Sequence, residues 1–197
     1  MYPDDIDPES GCRLPLPKRD ELDDTGKRLY DIVTDPKGGT IRGLRGPGGI
    51  QLHSPAFAEL ARPINHYLRH EAGLGARVRE LAILTTAREC DSQFEWAAHE
   101  GEALRAGIAP AIIDVIKHRK STAGLDEADA VIIDLGREAF GARKVSSAIY
   151  ARAFKQFGAR KLVDLVSLMG NYAGTAALLA IFDMQLDPGQ APLLPMT

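Results

Sequence analysis

The chain has 197 residues, 45% of them hydrophobic and 26% charged, with a net charge of −3. That length suits one domain with a substantial core, and the mild acidity without a basic stripe argues against nucleic acid as a partner. Two cysteines, Cys12 and Cys90, give neither a disulfide framework nor a zinc spacing, and no apolar run approaches the ~20 residues of a membrane span, so a cytoplasmic protein with no membrane partner is expected.

Residues 1–19 carry Pro3, Pro8, Pro15 and Pro17, which block helix and predict an extended arm. The acidic start is unlike a signal peptide. Residues 20–34 predict a helix with Leu22, Leu29, Ile32 and Val33 on one stripe and Pro36 as its stop. Residues 35–52 read as a Gly-rich loop, Gly38-Gly39 through Gly46-Pro47-Gly48-Gly49, with no Gly-Lys-Ser/Thr to bind phosphate. Loops this long are often functional, and Arg42 and Arg45 in it are candidates to meet a substrate carboxylate; solvent-exposed arginines are the plainer reading.

Ser54-Pro55 starts the next helix, to about Glu71, with Phe57, Leu60, Ala61, Ile64 and Leu68 inward and a kink at Pro63. Two helices follow, roughly 77–90 and 93–106, separated by the break signal Asp91-Ser92 and closed by Gly107. Further helices are predicted at 110–120, at 127–141 with Asp126 as cap, at 146–157 after Ser146, and at 159–184. Residues 185–197 form a Pro-rich tail. No strand remains, so the class is all-α.

The chemistry concentrates between Arg79 and Gly107. Ser92, Glu95 and His99 stand at i, i+3 and i+7, which at about 100° per residue places them on one helix face. A tight connection would fold Glu80 of the preceding helix back over that face. The pattern is Glu80-x11-Ser92-x2-Glu95-x3-His99. Two readings of Ser92-x-x-Glu95 stand side by side: a capping box, with Glu95 reaching back to the Ser92 amide, or part of a proton-transfer site. Trp96 is a candidate substrate platform, though core is the commoner place for the residue. Cys90 is expected to be a buried structural thiol. No metal is expected, because His99 lacks a second histidine at ligand spacing.

This spacing resembles that of the carboxymuconolactone decarboxylase family, which includes the alkylhydroperoxidase D proteins. The peroxidase branch carries Glu-x11-Cys-x2-Cys-x3-His. Here Glu80 and His99 match, but the two cysteine positions are Ser92 and Glu95, and Gln93-Phe94-Glu95-Trp96-x-x-His99 looks like the cysteine-free, decarboxylase-like branch. The flanks Arg79-Glu80-Leu81-Ala82-Ile83-Leu84 and Ala106-Gly107-Ile108 add to the likeness.

The resemblance implies a single-domain helical bundle of about seven or eight helices over residues 20–184, assembled as a homo-oligomer (dimer, trimer or hexamer). It implies a cofactor-free, acid/base lyase acting on a small-molecule substrate, a carboxylated lactone or related ring compound. Glu80, Glu95, His99 and Ser92 would be the catalytic residues, with Trp96 and Arg45 binding substrate. Two other readings remain beside it: a thiol-dependent peroxidase, which lacks its cysteine pair here, and a non-enzymatic ligand-binding or assembly protein.

Overall fold

The computed structural model describes residues 2–37 and 40–195. Gly38-Gly39, part of the expected loop, lie outside the described residues. The regular elements are helical: α1 (Asp24–Thr34), α2 (Pro47–Gln51), α3 (Pro55–His66), α4 (Ala76–Glu89), α5 (Gln93–Arg105), α6 (Pro110–Lys117), α7 (Glu127–Gly136) and α8 (Ser147–Ile181). A short 3-10 turn precedes α1, and π-helical turns follow α3 (Tyr67–Glu71) and α7 (Arg137–Ala142). The only extended pairing among the described residues is an isolated bridge between Asp7 and Cys12. The protein is all-α.

The chain divides into two compact units, Met1–His66 with Leu178–Ala191 and Tyr67–Ala177 with Pro192–Thr197. In the first unit, the Asp23 carboxylate accepts the Gly26 N–H at 2.7 Å, so α1 begins four residues later than periodicity suggests. Leu29, Val33, Leu52 and Ala58 form its buried cluster. Residues 11–13 and 182–185 are tied together as well. The Arg13 N–H donates to the Phe182 carbonyl and the Gln185 N–H to that of Gly11, each at 2.8 Å. The expected loop 35–52 contains the helix α2, which Pro47 opens with its preset φ.

One expectation for this unit is overturned. α3 was to bury Phe57, Leu60 and Ile64, yet these are 53%, 70% and 56% exposed. The small face at Ala58 is buried instead, and the large apolar stripe points outward.

In the second unit, α4 is buried on every side from Glu80 to Arg88. Its apolar residues join Trp96 of α5, Ile108, Ile113 and Ile116 around α6, Val131, Ile132 and Ile133 of α7, and Leu165, Leu168 and Met169 of α8. Fully burying such side chains stabilises by about 1.5–3 kcal/mol each. The Thr85 and Thr86 hydroxyls, deep in this core, donate to the Leu81 and Ala82 carbonyls at 2.8 and 2.9 Å.

α7 stops at Gly136 and continues as the π-helical turn, where the sequence suggested one helix to 141. Asp126 sits at the N-cap position, but its side chain makes no capping bond. α8 is broken at Gly158, whose φ of 66° and ψ of 172° suit glycine almost alone. The break falls where the sequence separates 146–157 from 159–184. The Ser146 hydroxyl accepts the Ile149 N–H at 3.3 Å ahead of it. By length and composition alone, α8 reaches what a bilayer span requires, with 44% of the relevant window buried in the protein. This differs from the expectation of no such run. Interspersed Gly, Ala and Ser conceal it, but no charged residue occurs from 165 to 182.

Candidate active site

Glu80, Glu95 and His99 meet between α4 and α5, and Ser92 lies in the turn that joins these helices. Asp91 takes a left-handed φ of 49°, its N–H bonding to Arg88 O at 3.1 Å, and the Ser92 N–H bonds to Ala87 O at 2.8 Å. These two bonds form a Schellman closure of α4, and Ser92 becomes the N-cap position of α5 without an intervening loop. α5 therefore doubles back along α4. Gly107, at φ 81°, closes α5 in the same way, with its own N–H on Leu104 O and that of Ile108 on Ala103 O, both at 3.0 Å.

The closure disposes of the capping box. Glu95 was to accept the Ser92 amide hydrogen, but that N–H is already committed to Ala87. The Ser92 side chain makes no capping bond either. Glu95 is released to face His99, one turn along.

His99 lies between two acids. Its Nδ1 is 2.8 Å from Glu80 Oε2, and its Nε2 is 3.8 Å from Glu95 Oε2. The first is a hydrogen bond. The second is too long for one. Arg79 Nε donates to Glu80 Oε1 at 2.9 Å, which fills the other half of that carboxylate. The Tyr172 ring meets the imidazole edge-on at 5.2 Å. Glu80, Glu95 and His99 are 1%, 4% and 3% exposed.

The two acids respond to this burial in opposite ways. For Glu80, burial pushes the pKa up, but the His99 and Arg79 hydrogen bonds and charges outweigh it and hold the carboxyl below its ordinary value. For Glu95, burial dominates the charges of His99 and Arg69, and its pKa rises. Burial likewise pushes the Tyr172 phenol up. With Glu80 ionised, the Nδ1 of His99 carries a hydrogen toward it. The Nε2 then faces an acid that tends to keep its proton. This arrangement can pass one proton between carboxyl, imidazole and a molecule beside them.

The other candidates make contacts of their own. Trp96 is fully buried in the hydrophobic core, with Lys117 Nζ 5.5 Å from its ring. Arg45 belongs to the first unit, where its guanidinium meets the Tyr2 hydroxyl at 2.8 Å and the Asp187 carboxylate at 3.8 Å. Cys90, expected to be buried, is exposed at the C-cap of α4, because the helix ends there and turns the residue outward. Partial burial of its sulfur, with Glu89 and Asp91 beside it, pushes the thiol pKa up, away from a reactive thiolate. Sequence reasoning gave no role to Arg79, Arg69 or Tyr172. Arg79 adjoins a motif acid, which was a usable signal. Tyr172 lies 73 residues beyond His99, and no local pattern links the two.

An all-helical protein with a glutamate–histidine–glutamate cluster across two consecutive helices, and no cysteine pair, is the class that fold and site define. The model of the carboxymuconolactone decarboxylase family matches residues 55–133, the segment from α3 into α7. The match lies inside the 20–184 span anticipated above and contains the whole 79–107 motif. A comparison with curated proteins found no match.

Proposed function

We propose that the chain is a cofactor-free, decarboxylase-like enzyme that transfers protons to a small carboxylated lactone or related ring compound. In the reaction, the bond from ring carbon to carboxylate breaks and CO2 leaves. The electron pair passes into the ring carbonyl as an enolate. Glu95 gives its proton to the carbanion, directly or through His99 Nε2, and recovers one from solvent. Glu80, clamped by Arg79, holds the imidazole in one tautomer and stabilises the imidazolium if it forms. A hydrogen bond from the Ser92 hydroxyl to the substrate is part of this reading.

The observation that supports it is the imidazole between two buried acids whose proton affinities are pushed in opposite directions. A peroxidase reading lacks this support, since the two thiol positions hold Ser92 and Glu95. The test is CO2 release from carboxymuconolactone by the wild-type protein and by His99→Gln and Glu95→Gln, with a melting temperature for each. Loss of turnover in variants that remain folded at the assay temperature is expected. Undiminished turnover in both variants would remove the proposal. We also propose assembly into a homo-oligomer, which the outward apolar stripe of α3 supports.

A further inference from the structure

The π-helical turn Tyr67–Glu71 contains a cation that the mechanism above does not use. Arg69 Nε is buried and has no hydrogen-bond partner among the described residues. A guanidinium offers five N–H donors, and leaving a buried donor unmade costs roughly 1–3 kcal/mol, more for a charged group. The acids nearby do not resolve this. Glu80 is occupied by Arg79 and His99. Glu95 feels the Arg69 charge, but its carboxyl faces His99 Nε2 at 3.8 Å.

The backbone holds Arg69 in this place. The Ala72 N–H reaches back five residues to Tyr67 O at 2.9 Å, which adds a residue to the turn and rotates Arg69 relative to α3 periodicity. Such π-turns are frequent at functional sites. The Arg69 carbonyl accepts from Arg79 Nη1 at 2.8 Å, and the same guanidinium holds Glu80 through Nε. One side chain therefore ties the Arg69 backbone to the acid that positions His99. The Arg69 charge is also felt at Tyr172, whose ring packs on the imidazole.

We propose that Arg69 binds a carboxylate of the substrate, and that this is a carboxylate retained in the product. The inference rests on the proton-transfer reading for the identity of the neighbouring groups. The retained group follows from charge. A carboxylate leaving as CO2 loses its charge toward the transition state, so an arginine on it would stabilise the ground state more and slow the reaction. A second, spectator carboxylate keeps its charge throughout and can be held bidentately. Arg69 is thus a substrate-binding residue, distinct from the groups that move the proton.

The test measures binding by titration calorimetry, using paraconate, a saturated lactone monocarboxylate that is not turned over, and its uncharged methyl ester. Wild type is expected to bind paraconate at least about tenfold more tightly than the ester, the size of one charge-assisted contact. Arg69→Gln should bind both at the ester's level, and Arg69→Lys, which keeps charge but not the fork, should fall between. Wild type failing to prefer the acid, or not binding it, overturns the proposal. So does paraconate binding at wild-type strength to Arg69→Lys, or to an Arg69→Gln protein that melts as wild type does. His99→Gln should retain the preference for the acid. If it does while wild type releases no CO2 from carboxymuconolactone, the anion site stands and the decarboxylase reading falls. Normal turnover with an unchanged KM in a folded Arg69→Gln means the reverse.

Discussion

Glu80 and Glu95 have the same side chain and similar burial but opposite proton affinities, and each leaves a distinct mark on stability. Glu95 binds its proton more tightly folded than unfolded. Between the ordinary carboxylate value and its raised one, the native state therefore loses stability as pH rises. Glu80 has the opposite sign. Its contribution is present above the ordinary carboxylate value and is lost as pH falls toward its lowered one. Melting Glu95→Gln across pH should remove the decline on the rising side, while turnover drops by about 10²–10⁴-fold as expected for a lost general acid. Glu80→Ala strands His99 and Arg79 in the interior. It should cost roughly 3–5 kcal/mol in denaturant titration, the usual penalty for half of a buried ion pair. The motif spacing made these three residues legible, because helical period and a tight connection suffice to bring them together. Tyr172 beside the imidazole was not legible, since its place depends on how α8 packs, and helical spacing alone does not give the 3.8 Å gap at Nε2.

Helix boundaries followed the sequence wherever punctuation was local. Pro36, Gly107 and Pro110 all mark ends that the structure keeps. Boundaries were missed where a side chain or amide had a competing use. Asp23 capped α1 later than the periodicity suggested, and the Ser92 amide closed α4 in place of joining a capping box. The outward face of α3 was missed for another reason, since an apolar stripe says that something covers it but not what. Gly158 gives a direct check on α8. Gly158→Ala forces a side chain into φ and ψ that only glycine tolerates, and should destabilise by about 1–3 kcal/mol in the same titration.

Neither cysteine is a member of the Glu80–His99–Glu95 cluster. Cys90 is exposed but far from thiolate character, and Cys12 is buried, so alkylating the accessible thiol should leave CO2 release unchanged. A fall in activity after alkylation would restore the peroxidase branch as a competitor. The exposed stripe of Phe57, Leu60 and Ile64 bears on assembly. Leu60→Glu should lower the sedimenting mass if copies associate there, with little effect on folding, because that side chain is 70% exposed in the single chain.

The bond from the Ser92 amide to Ala87 has a consequence for how such a protein changes over time. One hinge hydrogen has two potential owners, the end of one helix and the acid at the head of the next. Lengthening the hinge by a single residue would surrender it to the acid, which would then swing away from the imidazole to serve as mere scaffolding. A deletion or insertion there should therefore silence the protein while leaving a well-folded body, without altering any residue that handles protons.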